Sequence, residues 1–221
     1  MILDGIGRLL FPPKCVLCGA LLEKNETDLC HTCRCDSPEC GSRGKNYQFL
    51  ESWTAIWYYE GNVRDSVLRF KFGNKRGYAP CYGRLLAMKL QQAHPEGFDC
   101  LTWVPTGFFR RLRRGYDQSE LLARSVGAEL GMEPVKLLRK IRNNPPQSGI
   151  HGVAERRANV LGVYKLEGPQ SVAGKRILLI DDIITTGATA GEAARMLLTA
   201  GAEQVHCGVV AAARHHGKQS R

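Results

Sequence analysis

The sequence has no long apolar run and no leader-like start. Its 221 residues include no stretch approaching the roughly 18 apolar residues that indicate a membrane span. The segment from Met1 to Phe11 is too short for a signal peptide, has an acid at position 4, and lacks a basic region and a small-residue cleavage site. The sequence therefore predicts a cytoplasmic protein with no membrane span.

Several patterns that identify catalytic or nucleic-acid-binding classes are also missing. No Gly-Lys-Ser/Thr follows the Thr/Gly-rich turn at residues 185–189, which excludes a Walker A loop. The six histidines do not cluster, and no Ser/His/Asp set is apparent. There is no internal repeat, no helix-turn-helix pattern and no C₂H₂ zinc pattern. Nothing here predicts a covalent nucleophile or a standard DNA-reading motif.

Length, composition and charge leave several classes open. The chain suits one α/β domain plus a small appendage, and its hydrophobic content of 43% is enough for a core. The net charge of +10 favours an acidic partner, which could be nucleic acid or a small ligand rich in phosphate. A basic, solvated surface is the third possibility, and charge alone does not decide among them.

Six of the nine cysteines fall between Cys15 and Cys40. A disulfide framework is not expected in a cytosolic chain. Two C-x-x-C pairs have the arrangement of a four-thiolate zinc site, and the segment has too few apolar residues to fold otherwise. The predicted ligands are Cys15, Cys18, Cys30 and Cys33.

The fourth zinc ligand and the remaining cysteines are less well defined. His31 or Cys35 could replace Cys33, and a redox or vestigial role is the alternative to zinc. Cys40 ends an incomplete second knuckle in which Ser37 replaces a cysteine, so its role is open. Cys100 and Cys207 lie near predicted strands and are expected to be core thiols.

The cysteine module is expected to span residues 1–45, followed by a domain over 46–221. Arg43 to Asn46 reads as a short linker. Alternating and buried-type apolar patterns predict strands, 3.6-residue spacing predicts helices, and their alternation implies a parallel sheet. The predicted strands are 53–59, 100–104, 177–180 and 205–212, and the predicted helices are 61–71, 85–92, 117–130 and 190–200.

The most informative segment runs from Arg176 to Thr189. A β-type apolar run ends in Asp181 and Asp182, and a Thr/Gly-rich turn then leads into a helix. Free backbone N–H groups at a helix start hold anions, with hydroxyls and carboxylates beside them. This layout predicts a sugar-phosphate site, in which the turn holds the phosphate and the carboxylates hold the sugar hydroxyls. A buried strand ending in a solvated acidic turn is the alternative.

A basic loop is expected after the strand that Pro105 stops. Four guanidiniums within five positions suit a polyanion, because arginine pairs with phosphate in a bidentate fork. In open α/β sheets, ligands bind where loops leave the carboxyl ends of strands. A solvated charge cluster is the alternative. The arginines are Arg110, Arg111, Arg113 and Arg114.

Residues 141–160 are polar and are broken by Pro145-Pro146, so a mobile loop is expected there.

The segment at Asp181 resembles the 5-phosphoribosyl-1-pyrophosphate (PRPP) binding loop of type I phosphoribosyltransferases, without a gap. Over nearly the whole chain the sequence is similar to the competence protein F (ComF) family, which joins a cysteine module to such a domain. The further landmarks are the cysteine pairs, Leu68–Phe72, Val104–Gln118, and Gln147 with Glu155–Val160. The departures are the incomplete second knuckle and Asp117, where relatives usually have Asn.

The resemblance implies a fold and a set of roles. The fold is α/β, a type I phosphoribosyltransferase-like parallel sheet flanked by helices, with a small N-terminal zinc-ribbon-like module. Asp181 and Asp182 would hold the ribose 2- and 3-hydroxyls. The 5-phosphate would be cradled by Thr185, Thr186, Gly187, Ala188 and Thr189.

The resemblance also implies a pyrophosphate site and a closing loop. Thr106, Gly107 and the four arginines would contact pyrophosphate, with Arg110 and Arg111 assisting its departure. Lys71 is either a further phosphate contact or a solvated lysine. Gln147, Arg156 and Arg157 would belong to a flexible loop that closes over the site and excludes water.

Three functions follow as hypotheses. The first is a Mg²⁺-dependent phosphoribosyltransferase with an unknown nitrogenous acceptor. The second is a PRPP- or nucleotide-binding regulator without turnover. The third is a factor in DNA uptake, in which the zinc module and the arginines meet single-stranded or other DNA, or a partner protein. The sequence leaves the acceptor and a homo-oligomeric state open.

Overall fold

The computed structural model describes residues 12–44, 47–142, 155, 159–168 and 171–214, without the side chains of Phe109 and Arg113. Within these ranges, no helix has the length and apolar content needed to cross a membrane. The elements, numbered here in chain order, are α1 (His31–Asp36), β1 (Glu39–Arg43), β2 (Ser52–Tyr58), α2 (Gly61–Phe72), a 3₁₀ turn (Arg76–Tyr78), α3 (Ala79–Ala93), β3 (Cys100–Trp103), α4 (Phe108–Arg114), α5 (Gln118–Leu130), β4 (Leu138–Lys140), β5 (Tyr164–Leu166), β6 (Arg176–Ile184), α6 (Ala188–Thr199) and β7 (Gln204–Ala212).

The main sheet has five strands in the order β1-β2-β7-β6-β3. Strands β2, β7, β6 and β3 run parallel to one another, and β1 pairs with β2 in the antiparallel direction. The predicted α/β class is therefore confirmed. The expected parallel sheet is corrected only at its edge, where β1 makes the sheet mixed.

Helices cover both faces of the sheet, which explains the continuous apolar strands. From Ile177 to Ile180 of β6, every residue is fully buried. Leu178 and Ile180 pack in the cluster formed by α2, α3 and α5, whereas Ile177 and Leu179 pack on the side of α6, β4 and β5. The alternating strand residues therefore fill two cores, one on each side of the sheet.

The cysteine module is built onto the first of these cores. Cys15, Val16 and Leu17 are buried in the same cluster as Val67 and Phe70 of α2. Strand β1 leads directly from the module into the main sheet. The interpretation of Arg43 as part of a linker was wrong, because Arg43 pairs with Trp53 as the last residue of β1.

Several element boundaries differ from the sequence predictions for physical reasons. The arginine segment is a helix, α4, and not a loop; it begins after the extended Gly107 and ends at the left-handed Gly115. Helix α3 begins six residues before the predicted Leu85, at Ala79, with a proline in its first turn. Strand β6 continues through Asp181 and Asp182 because β7 keeps pairing with it to Ile184.

A two-stranded ribbon was not predicted. Strands β4 and β5 are antiparallel, with Leu138 opposite Leu166 and Lys140 opposite Tyr164. Each strand is only three residues long, too short for an alternating pattern to stand out in the sequence. The ribbon joins the two ends of the predicted mobile loop, most of which (143–154 and 156–158) lies outside the described residues.

Candidate functional site

The predicted sugar-phosphate segment and the predicted pyrophosphate segment leave the same edge of the sheet. Strands β3 and β6 are parallel neighbours, with Trp103 opposite Ile180. Their pairing ends with a hydrogen bond of 2.9 Å from Val104 N to Ile180 O. The loop at Thr106 and the carboxylates of Asp181 and Asp182 therefore meet at the carboxyl ends of adjacent strands, where ligands bind in open α/β sheets.

Asp181 is held by groups that favour a defined orientation of its carboxylate. Its Oδ1 accepts hydrogen bonds from Ser119 Oγ at 3.0 Å and from the backbone N–H of Asp182 at 2.8 Å. Burial and then the adjacent charge of Asp182 raise the pKa of Asp181 to about 7, and these hydrogen bonds only partly oppose the increase. Asp181 can therefore titrate near neutral pH.

Asp182 has a different partner. Its Oδ2 lies 2.9 Å from the ammonium nitrogen of Lys71, and only 15% of the Lys71 side chain is exposed. Its Oδ1 accepts from the backbone N–H of Ile183 at 2.7 Å. The alternative interpretation of Lys71 as a solvated lysine was wrong. Its role as a phosphate contact remains a prediction.

The start of α5 connects the two strand-end loops. Asp117 is the N-cap residue, and its Oδ1 accepts from the backbone N–H groups of Ser119 and Glu120. The same carboxylate accepts from the backbone N–H of Thr106 at 2.7 Å and from its hydroxyl at 3.2 Å. Asp117 therefore fixes the loop after β3, while Ser119, the second residue of the same helix, fixes Asp181 near the carboxyl end of β6.

The turn before α6 has the geometry of an anion site. Gly187 is the N-cap residue, with φ of +72°, and the first turn of the helix contains no acid. The first backbone N–H groups of a helix point toward an anion. A Cβ atom on Gly187 would overlap the ring of Tyr47, whose hydroxyl donates to Thr185 O at 3.0 Å. Tyr47, which the sequence did not indicate, therefore braces the turn from behind.

The short helix α4 carries the arginines beside this edge. Arg114 donates to Gln118 Oε1 at 2.8 Å and stacks on Phe72, with 4.7 Å from its guanidinium carbon to the ring centroid. The charge of Arg110 contributes to the lowered pKa of Lys140. Arg111 is exposed, and the side chain of Arg113 is not described.

Lys140 and Tyr164 form a second group that the sequence did not reveal. They face each other across the β4–β5 ribbon, and the Lys140 ammonium lies 5.8 Å from the centroid of the Tyr164 ring. Burial, and then the charge of Arg110, lower the pKa of Lys140 to about 8, although Asp181 and Asp117 oppose this effect. The ribbon thus brings a further cation toward the aspartates.

Gln147, Arg156 and Arg157 lie outside the described residues. Their assignment to a closing loop stays a prediction.

The predicted zinc ligands lie together. The Sγ atoms of Cys15, Cys18, Cys30 and Cys33 are all within 4.8 Å of one another, and in the part of the chain that the structure describes this is the one such group of metal-binding side chains. Cys15 and Cys18 flank a tight turn, Cys30 caps α1, and Cys33 lies within α1. Four clustered thiols of this kind can bind a metal such as Zn²⁺.

The surroundings of the four thiols are not alike. Burial raises the pKa of Cys18 and of Cys33. Burial alone would raise the pKa of Cys15, but backbone N–H groups of Cys18, Cys30 and Leu17 outweigh it and lower the pKa to about 7. Of the two alternatives to Cys33, Cys35 is exposed, and its sulfur lies 3.9 Å from Nε2 of His31. The structure therefore places Cys33, and not these two, with the other three thiols.

Comparison with known proteins shows a matching domain model and relatives of similar length. Residues 112–221 match the family model for the phosphoribosyl transferase domain. The chain is 26% identical to competence protein F of Haemophilus influenzae over 218 residues, which is 87% of this chain and 93% of that protein. It is 27% identical to the DNA utilization protein YhgH of Escherichia coli, covering 89% of this chain and 96% of that protein. It is 25% identical to the competence protein ComFC of Bacillus subtilis, covering 85% of this chain and 78% of that protein.

The chain thus contains a type I phosphoribosyltransferase-like domain preceded by a four-cysteine module, which confirms the predicted fold class. Over most of its length it is homologous to competence protein F, ComFC and YhgH, as its sequence motifs implied.

Proposed function

We propose that this protein binds PRPP together with Mg²⁺ and transfers the phosphoribosyl group to a nitrogenous acceptor. The observation that supports this most directly is the placement of Asp181 and Asp182 near the carboxyl end of β6, which a short turn connects to the Gly187-capped start of α6. The match to the phosphoribosyl transferase domain model includes all of these residues.

Each group has a chemical task in this proposal. The backbone N–H groups at Gly187–Thr189 bind the 5-phosphate. The carboxylates of Asp181 and Asp182 accept hydrogen bonds from the ribose hydroxyls. Departure of pyrophosphate from C1 leaves positive charge on the sugar, which the two carboxylates favour, and negative charge on the leaving group, which Arg110 and Arg111 favour.

The donor groups suit the two metals differently. The carboxylates of Asp181 and Asp182 are the hard oxygen ligands that Mg²⁺ prefers. When bound with PRPP, Mg²⁺ would neutralise charge on the phosphate oxygens. The four thiols of the N-terminal module suit a closed, structural Zn²⁺ site without an open position, and they contribute to folding rather than to chemistry.

Pyrophosphate release tests turnover. The full chain, PRPP and Mg²⁺ are incubated with ammonia and a panel of amines and bases, and pyrophosphate is measured with and without each acceptor. We expect at least one acceptor to stimulate release, and replacement of Arg110 and Arg111 by alanine to reduce the stimulated rate. PRPP binding without stimulated release by any acceptor would favour the regulator that has lost turnover.

We further propose a cellular role in DNA uptake, in the cytoplasm. The names of the relatives, competence protein and DNA utilization protein, support the role, and the charge of +10 is compatible with an acidic partner. The nine free cysteines favour a reducing compartment. Direct DNA binding should fall steeply with added salt, and titration of a single-stranded oligonucleotide over a salt series tests it.

A further inference from the structure

We infer that the acceptor is a small planar molecule bearing a carboxylate, and that it binds in a cavity between the end of α2 and the end of α4. This inference rests on the proposed function, because it assigns the second substrate of the same site. The cavity has a volume of about 440 Å³, within the range of small-molecule sites. The side chains that line it include Lys71, Phe72, Asn74, Arg76, Leu112 and Arg114.

The walls of the cavity are tied together by hydrogen bonds. Gln118 Nε2 donates to Lys71 O at 3.3 Å, and Arg76 donates to Gly115 O at 3.1 Å. The hydroxyl of Tyr116, which also lines the cavity, donates to Phe70 O. These bonds connect α2 and the following 3₁₀ turn to the segment from Gly115 to Gln118, so the cavity is preformed and does not depend on a ligand to assemble.

The cavity adjoins the proposed ribose site. Lys71 lines the cavity, and its ammonium nitrogen lies 2.9 Å from Asp182 Oδ2. Lys71 is therefore shared between the cavity and the carboxylate that would bind ribose hydroxyls. An acceptor in the cavity would lie on the Lys71 side of the ribose whose C1 its nitrogen has to reach.

The chemistry of the walls points to an anionic planar ligand. The described lining side chains include three cations and the amide of Asn74, and none of them is a carboxylate. Phe72 and Leu112 are 61% and 70% exposed and provide apolar contact for a ring. Arg114 stacks on Phe72, and Arg76 stacks on Tyr116 at 4.8 Å. Stacked guanidiniums are planar donors whose geometry matches a carboxylate.

Transfer of the phosphoribosyl group to such an acceptor is a substitution at C1 of the ribose. Its nitrogen lone pair forms the new bond to C1 as the C1–O bond breaks, pyrophosphate leaves with that electron pair, and the proton on nitrogen is released to water.

The test measures binding of matched probe pairs to the full chain in the presence of ribose 5-phosphate, which can fill the proposed ribose and phosphate positions but cannot transfer. The pairs are uracil-6-carboxylate with uracil, and 2-aminobenzoate with 2-aminobenzamide, followed by ligand-observed NMR. We expect at least one carboxylated probe to bind tenfold or more tightly than its neutral partner. Equal binding within both pairs would overturn the inference.

A charge-changing variant locates the site. Asn74 has φ of +53°, a conformation that Asp also tolerates, so Asn74→Asp adds a negative charge to the cavity with little change of shape. We expect it to weaken the carboxylated probe at least fivefold and to leave PRPP binding unchanged. Asn62→Asp, the same change at an exposed position at the start of α2, should change neither.

The outcomes separate this inference from the proposed function. Failure of PRPP to bind wild-type protein would overturn both. PRPP binding with no effect of Asn74→Asp on the carboxylated probe would overturn the inference alone. A single-stranded oligodeoxynucleotide that binds wild type but not Asn74→Asp, while neither carboxylated probe binds, would assign the cavity to nucleic acid and also overturn it.

Discussion

The two adjacent aspartates near the end of β6 have different surroundings, and this difference makes the protonation of one of them depend on pH near neutrality. Asp182 is paired with Lys71, whereas Asp181 is partnered by the neutral hydroxyl of Ser119. Burial and the charge of Asp182 therefore leave Asp181 with a pKa of about 7. At pH 6 most of the Asp181 population is protonated, and at pH 8 most of it is ionised.

We predict that PRPP affinity rises with pH through neutrality because the ionised Asp181 is the better acceptor for a ribose hydroxyl. Between pH 6 and pH 8 the increase attributable to Asp181 should be about tenfold at most. Calorimetric titration with PRPP and Mg²⁺ at several pH values measures it. Asp181→Asn should bind more weakly and show only the pH dependence of PRPP itself; identical profiles for wild type and variant would contradict the assignment.

The raised pKa of Asp181 has the opposite effect on the ligand-free chain: the stability of the fold decreases as pH rises, whereas PRPP affinity increases. A carboxyl whose pKa is raised by folding stabilises the fold when it is protonated. This contribution is present at acidic pH and is lost as pH rises through about 7.

Gly187 is a position where the fold requires the absence of a side chain. Its φ is +72°, and a Cβ atom would overlap the ring of Tyr47. We predict that Gly187→Ala lowers the free energy of unfolding by about 1–3 kcal/mol and weakens PRPP binding, because the phosphate turn must move. Denaturant unfolding and calorimetry measure the two effects.

Gly174 provides a matched control. It has a similar φ, +67°, but open space where the Cβ would be. Gly174→Ala should lower the stability only through the unfavourable positive φ of alanine, and it should leave PRPP affinity unchanged. An equal loss of affinity in both variants would remove the Tyr47 contact from the account.

At the level of elements, the start of α5 organises the site through one cap. The Asp117 carboxylate accepts from Thr106 as well as from the first turn of its helix, and burial raises its pKa above the usual value. Burial therefore makes ionisation of Asp117 less favourable in the fold than in water, while both of its oxygens serve as hydrogen-bond acceptors.

We predict that Asp117→Asn keeps the capping oxygen but replaces the acceptor of the Thr106 backbone N–H by an amide donor, and so lowers the unfolding free energy by about 1 kcal/mol. Asp117→Ala removes the cap and the Thr106 contacts, and should cost about 2 kcal/mol or more. Thermal and urea unfolding compare the two. Equal losses would show that the negative charge is needed.

Elements with strong local signals were predictable from sequence. Helix α5 has Asp117 at its cap, apolar residues at helical spacing and a left-handed Gly131 at its end, and β6 is a continuous apolar run. Helix α4 was missed because four arginines in seven residues suggested a solvated loop, although its flanking glycines are helix boundaries. The three-residue strands of the ribbon depend on pairing between distant segments.

The candidate site was predictable only where its residues share a motif. Asp181, Asp182 and the turn at Gly187 are contiguous, so their proximity follows from the sequence. Ser119 and Tyr47 reach this site from 62 and 138 residues away, and no local pattern marks them. Ser119 directly follows the segment Val104–Gln118, which is one of the landmarks of the family resemblance. This position is the one signal in the sequence that could have indicated Ser119.

On the scale of the whole molecule, the cysteine module and the sheet domain share a core. Ser66 and Arg69 of α2 donate to the carbonyls of Val16 and Leu17, and Arg84 of α3 bonds to Asp28, with 3.0 Å between Nε and Oδ2. Two of these bonds are made by α2, the helix that also carries Lys71. Loss of the module should therefore disturb more than the module itself.

We predict that the module and the domain unfold together and that metal removal destabilises both. A chelator, or Cys33→Ser, should lower the midpoint of a single calorimetric transition and also reduce PRPP affinity, because structural zinc contributes directly to folding. Cys35→Ser, two residues away on α1 but outside the four-thiol group, should change neither. Two separate transitions, with only the smaller one shifted, would contradict the shared core.

The most direct test of the account is calorimetric titration of PRPP with Mg²⁺ into wild-type protein and into the double variant Asp181→Asn, Asp182→Asn. We expect saturable binding to wild type and a loss of affinity of at least tenfold in the variant. Asp36→Asn with Asp65→Asn, an equal change of charge at exposed positions, should bind as wild type does. Equal PRPP affinity in all three proteins would contradict the central claim that the carboxylates at the end of β6 hold the ribose.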